Sequence, residues 1–407
     1  MNCSLRNISL LAGLCLATLL PADSRAQWIR TTDVALSNRV VYALAAGNSI
    51  LLAGTDSGVF RSANDGSSWE RIDCGMGERR VLSLFFNDST IFAGTIESGI
   101  FRSTNNGTSW ESSDSGVTNL NIYALAQGGS LLYAAGSGGV FRSSDTGNSW
   151  HAANSGLGGA GIHSLAVKGP NTFAASNGVY LSQDNGSSWN PVDTGLTNRL
   201  VSSLAVSDTD VLAGTIAGIF LSTNNGLNWY AQNAGLTHDS VYSFCVRGTA
   251  IWAGTNGGVF LSSDHAQSWQ AVSTGLTYPF VFSLAVHDST LFAGTYAGGV
   301  WHRPLAEMIT SVKAVRAPVP QHASLEQNFP NPFNPGTVIE FSIPRRVFVS
   351  LKIYDLLGRE MATLVSGELD AGRHSAQWLS GNNAAGVYFY RLQTGRFFQT
   401  RKLLLVK

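Results

Sequence analysis

Four acidic residues, Asp56, Glu78, Glu97 and Asp239, fall in short loops of this 407-residue chain beside arginine, asparagine, histidine and aromatic neighbours. Two carboxylates flanking a glycosidic bond can hydrolyse it, one as acid and the other as base or nucleophile. The neighbours offer a different chemistry. Arg39, Arg79, Arg80, Arg199, Asn119, Asn121, His238, Tyr278, Phe280 and Tyr296 could hold a sugar, peptide or protein surface without breaking a bond. Other chemistries have less to build on. His163, His238 and His287 are far apart, and no G-x-S-x-G elbow accompanies them. No Cys/His spacing resembles a zinc site, so neither metal nor cofactor is expected. The 44 glycines mark turns, and none forms a phosphate loop ahead of a helix.

The elements that must position these residues repeat. A motif V-x-[AS]-L returns every 39–41 residues, at Val41, Val81, Ile122, Ile162, Val201, Val241 and Val281. Each copy alternates as a strand, turns, and continues into a small-residue strand ending near A-G-T and then G-[VI]-[FYW]. Six copies then enter a turn S-x-[DN]-x-G-x-x-W, with a fourth strand beginning at the Ser-Trp pair. Four short antiparallel strands at a fixed period near 40 predict the blades of a β-propeller.

The side chains grade in size as wedge-shaped blades require. Ala43, Ser83, Ala124, Ser164, Ser203, Ser243 and Ser283 occupy the crowded axis. The aromatics Phe60, Phe101, Phe141, Tyr180, Phe220, Phe260 and Trp301 fill the wider space outside. The seventh copy lacks its fourth strand, and Gln27-Trp28-Ile29-Arg30 aligns with Ser68-Trp69-Glu70-Arg71. The N-terminal strand is therefore expected to complete the last blade and close the ring. Deleting residues 27–36 should unfold the propeller as a whole.

The six turns run from Ser62–Trp69 to Ser262–Trp269, and they resemble the Asp-box, or BNR repeat, of sialidases, xyloglucanase-type hydrolases and sortilin-like receptors. The resemblance implies a turn capped by Asp or Asn, a glycine at positive φ and an anchoring Trp, placed away from the ligand face. Ala266 replaces the glycine in the sixth turn, the most strained of the set. Ligands of such propellers sit over the central channel, on the loops that carry the residues named at the outset. Arg39, Arg80 and Arg199 could serve as a carboxylate-binding triad, but no F-R-I-P signature precedes the repeats and sialidases resemble six-bladed rings. A hydrolase acting on polysaccharide is the alternative to a non-catalytic binder. The near-constant period leaves no insertion to build a cleft or lid, which favours the binder.

Zero net charge hides an asymmetry: residues 27–308 carry 12 Lys/Arg against 19 Asp/Glu, and residues 325–407 carry 10 against 6. An acidic propeller argues against nucleic acid, which needs a basic footprint. Residues 1–26 read as a signal peptide, with Arg6, an apolar run Ile8–Leu20 and a Ser24-Arg25-Ala26 cleavage site. Residues 309–324 read as a linker.

Residues 325–407 alternate with turn signals every 8–12 residues, as a small antiparallel sandwich does. They resemble the type A C-terminal sorting domain of the type IX secretion system of Bacteroidetes-like bacteria. The resemblance rests on P-N-P-F at Pro330–Phe333, I-Y-D at Ile353–Asp355 with Gly358, A-G-R-H at Ala371–His374, G-V-Y at Gly386–Tyr388 and the tail Arg401–Val406. It implies export to the cell surface or beyond, with the secretion machinery as one partner. The expected architecture is all-β: a seven-bladed propeller over residues 27–308 closed by its N-terminal strand, then an Ig-like sandwich. A monomer with an unidentified glycan, peptide or protein partner is expected.

Overall fold

The computed structural model describes residues 27–312 and 322–406, apart from residues 48, 160, 208–209, 370 and 382. The signal-peptide reading and most of the linker lie outside the described residues. Two compact units divide the chain at Val312/Lys313.

The first unit is the expected ring. Among the described residues it contains seven four-stranded antiparallel sheets. Blade 1 has strands Val41–Gly47, Ile50–Thr55, Gly58–Ser62 and Glu70–Arg71, and five further blades repeat that order. Blade 7 has Val281–His287, Thr290–Thr295 and Gly299–Pro304, and its outermost strand is Ile29–Arg30 from the other end of the unit. Ile29 pairs with His302 and Arg30 with Trp301. Innermost strands touch their neighbours all the way round, with Val41–Gly47 meeting both Val81–Asn87 and Val281–His287. The fourth strands start just past the Trp, at Glu111–Ser112 for example, one or two residues later than the sequence implied.

Hydrophobic cores lie between blades. Phe92 and Ile100 of blade 2 pack with Ile122, Leu132 and Trp150 of blade 3, and Phe292 and Val300 of blade 7 pack with Val41 and Trp69 of blade 1. Every second strand is buried almost throughout because both of its faces meet a neighbouring blade. The box Trp side chains are at most 6% exposed, and truncating such a ring costs about 3–5 kcal/mol.

The box turns are scaffold. In the first, Ser62 Oγ accepts the Gly66 N–H at 2.9 Å and donates to Asn64 Oδ1, which in turn accepts the Ser68 N–H at 2.9 Å. The third and fourth boxes use Asp145 and Asp184 in that role, and hydrogen bonds from Ser149 and Ser188 hold each carboxyl down to about 2. Ala266 in the sixth box keeps the left-handed conformation at φ +62°. A methyl at Gly66 or Gly147 would strike the ring of Phe292 or Phe92 of the preceding blade. The preceding blade presents Leu212 beside Ala266, a smaller neighbour in the same cluster.

Five of the six box Trp side chains also clip their blade to the one before, while Trp69 donates to the Gly66 carbonyl of its own turn. Trp110, Trp150, Trp189, Trp229 and Trp269 donate Nε1–H to carbonyls of Ile72, Ser113, Ala153, Val192 and Gln232. Trp28 does the same to Val272 across the closing strand, at 2.7 Å.

After the seventh blade the chain forms a helix, Leu305–Val312, where the sequence reading began a linker at residue 309. Leu305 and Met308 are buried against Trp301 and Val272, which gives this short helix the packing it needs.

The second unit is a sandwich. A sheet with Gly336–Ile343 between Ser324–Leu325 and Gly372–Leu379 faces a second sheet ordered Glu360–Leu369, Val347–Tyr354, Gly386–Thr394 and Phe397–Leu405. Between them lie Phe333, Ile339, Phe341, Leu351, Ile353, Trp378, Tyr390 and Leu403. Asn328 is 2% exposed; its backbone N–H donates to the Tyr390 hydroxyl and its amide to Thr337, so the N-F-P-N-P-F segment is tied into the core. No helix among the described residues is long and apolar enough to cross a membrane.

Candidate functional site at the channel mouth

The innermost strands begin with a buried branched residue and then slip register. Six have an irregularity between the first and third motif positions, as between Val41 and Ala43 or Val281 and Ser283. A β-bulge re-aims the residue it releases. The released side chains are Tyr42, Leu82, Tyr123, Ser202, Tyr242 and Phe282, with His163 at the same place in blade 4. All are partly or fully exposed although the branched residue just before each is buried.

These side chains meet across blade boundaries. Phe282 stacks on Tyr42 with centroids 5.8 Å apart and meets Tyr242 edge-on at 5.3 Å. Tyr123 stacks on His163 at 5.7 Å, and its hydroxyl shares a 2.6 Å hydrogen bond with Ser137. Tyr296 reaches Phe282 edge-on at 6.0 Å, and Phe280 extends the group at 6.5 Å from Tyr296. The Arg80 guanidinium lies 5.9 Å from the Tyr42 centroid, within reach of a cation–π contact. Blades 6, 7 and 1 thus build a continuous aromatic arc that ends on a cation.

The outer tier is apolar as well. Six of the ten exposed large hydrophobics described in the propeller unit stand on this face: Leu120, Leu200, Ile216, Tyr278, Phe280 and Tyr296.

The residues singled out from sequence divide into two groups. Phe280, Tyr296 and Arg80 join the arc, and Arg79 is exposed next to Arg80. Others are held by the scaffold. Asp56 faces Arg39 at 3.8 Å, and Glu78 accepts from Arg71 at 2.9 Å. Arg199 pairs with Asp193. The Glu97 N–H donates to Asn121 Oδ1 at 2.8 Å, and Asn119 Oδ1 accepts the Asn121 N–H at 3.0 Å. Asn119, His238 and Tyr278 lie so close over Gly138, Gly257 and Gly298 that no side chain would fit at those glycines. Arg30 sits over the Tyr278 ring at 5.4 Å. Asp239 is exposed, and its carbonyl accepts the Gly218 N–H.

Asp56 and Glu78 are thus each engaged by an arginine, while at Glu97 and Asp239 it is the main chain that is tied in; Arg39 and Arg199 each face their own aspartate. The collar of bulge residues is what sequence reasoning missed. Its signal is the variable x of V-x-[AS]-L, whose neighbours hardly change while x runs through Tyr, Leu, His, Ser and Phe. Among the described residues, the one group of three side chains able to share a metal ion lies elsewhere, at Asp65, His287 and Asp288.

Comparison with known proteins agrees with both units. Residues 327–407 match the secretion system C-terminal sorting domain family. No curated protein matches the chain. Among solved structures, YCF48 from Cyanidioschyzon merolae is similar with a TM-score of 0.55 at 16% identity, over 69% of this chain and 99% of that one. PorZ, a surface component of the type-IX secretion system of Porphyromonas gingivalis, is similar at 0.52 and 15% identity, covering 90% of this chain and 59% of its own. The extracellular domain of BT4673, a two-component system protein of B. thetaiotaomicron, gives 0.56 at 11%, over 94% and 60%. Identities this low speak to the fold alone. The chain is a β-propeller that carries a secretion-system C-terminal sorting domain.

Proposed function

We propose that the chain is exported through a type IX secretion system and displays or releases a non-catalytic propeller that captures a glycan, peptide or protein at its channel mouth. The observation that carries the binding reading is the aromatic arc Tyr242–Phe282–Tyr42 with Tyr296 and Phe280 beside it, ending on Arg80. Exposed rings next to a guanidinium stack on sugar or peptide faces and engage a polar or anionic group. The loops are short, and Asp56 and Glu78 are already engaged by arginines, which favours binding over hydrolysis.

Two experiments test the proposal. Residues 309–407 fused to a periplasmic reporter should export it in a type IX-competent host, and retention of the reporter would overturn the export reading. The purified chain on glycan and peptide arrays, with reducing ends assayed in parallel, should bind without release. Release would make it a hydrolase, and the absence of any bound probe would leave the propeller as a spacer.

A further inference from the structure

A second cluster of chemically competent side chains sits where the ring closes, on the face opposite the channel mouth. The hairpin after the inner strand of blade 7 carries His287 and Asp288, and the box turn of blade 1 carries Asp65. One ligating atom from each lies within 4.8 Å of the others. Asp65 does not cap its own turn, a task that Asn64 performs, so its 70% exposed carboxylate is not committed to the scaffold.

The histidine gives the cluster its meaning. Its imidazole is 12% exposed, and Asp65 Oδ1 lies 3.0 Å from Nδ1. Nδ1 is nevertheless sealed from solvent and makes no hydrogen bond. The oxygen is near enough but off the line that a hydrogen bond requires. Two donor atoms that converge this closely without hydrogen-bond alignment suit a shared cation. Ligands about 2.1 Å from one ion and at right angles stand about 3.0 Å apart.

One imidazole nitrogen and two carboxylates favour a first-row transition ion over calcium or magnesium, whose sites are all-oxygen. Charge agrees, since two carboxylates oppose the single Arg247, whose guanidinium donates to the Asp288 carbonyl. An open hollow lined by Cys245, Val246, Arg247 and Val286 borders Asp288 on the blade 6 side. Elsewhere the same contact is made without ligands: Lys168 Nζ donates to Asn225 Oδ1 at 3.1 Å between blades 4 and 5.

We propose that Asp65, His287 and Asp288 form a site for a divalent transition-metal ion that staples blade 7 to blade 1 and secures ring closure. The untagged full chain, stripped with chelator, is dialysed against Zn²⁺, Ni²⁺ and Mn²⁺, and bound metal is measured by mass spectrometry. About one ion per chain is expected for at least one of them, with affinity reduced about tenfold or more in Asp65→Asn and His287→Ala. The wild type should melt later with that ion, and Asp65→Asn, whose exposed side chain leaves folding intact, should not. Substoichiometric binding by all three ions, or equal binding by the wild type and Asp65→Asn, would overturn the proposal and leave a simple ion pair.

Discussion

The Asp33 carboxylate accepts the backbone N–H of Trp69 at 2.7 Å. At every other blade boundary that N–H finds a main-chain carbonyl, as Trp110 finds Cys74 and Trp150 finds Ser115. The closing seam therefore replaces a backbone clip with a side-chain one, and Thr31 adds a second by donating to the Gly66 carbonyl. Asp33→Ala should lower stability by about 1.5–3 kcal/mol, the range for a lost hydrogen bond to a charged group. Asp33→Asn should recover part of the loss, because an amide oxygen can still accept. Chemical denaturation checks both; equal stability of all three proteins would remove the carboxylate from the closure. Deleting residues 27–36 should abolish the single cooperative transition altogether.

Close packing at the same boundaries sets a second expectation. A methyl at Gly116 would run into the Trp150 carbonyl, and its φ of +88° is left-handed. Gly129, at φ +60°, has nothing within 4 Å of such a methyl. Gly129→Ala should cost about 1 kcal/mol from backbone conformation alone. Gly116→Ala should cost about 3 kcal/mol or more because the blades must also move apart. Denaturation midpoints compare the two, and equal losses would contradict the inter-blade packing.

Acid should loosen the box turns. Asp145 and Asp184 titrate near 2 in the folded chain, against an ordinary 3.8. Carboxyls depressed in this way stabilise the fold fully above about pH 4 and lose that contribution as pH falls toward 2. Asp145→Asn with Asp184→Asn should flatten the fall in melting temperature between pH 4 and pH 2, with little change at pH 7. The native Asn boxes show that an amide serves there, Asn64 donating to Ser68 Oγ at 2.8 Å. An unchanged acid limb would mean that other groups govern it.

The ring was legible in sequence because each copy shows the same alternation, turn residues and Trp, and because the missing strand reappears around Trp28. What stayed hidden depends on distance or on subtle backbone geometry. A bulge changes only the backbone, so Tyr42 and Phe282 read as ordinary strand residues, and the variability of x alone hinted that they face outward. The helix Leu305–Val312 is too short for its period to stand out, and only the contacts of Leu305 and Met308 explain it. The partnership of Asp65 with His287 spans nearly the whole propeller, and nothing local announces it. Candidate loop residues such as Asn119 and His238 looked like ligand groups because the glycines they cover are far away in sequence.

The most direct test of the account is partner binding by a chain with Tyr42, Arg80 and Phe282 all changed to alanine, compared with the wild type on the same glycan and peptide arrays. These residues are partly exposed, so the variant should fold and keep its cooperative melt. The account predicts that probes captured by the wild type are lost from the variant, with no reducing ends released by either. Retained binding by the folded variant, or release of reducing ends by the wild type, would contradict it.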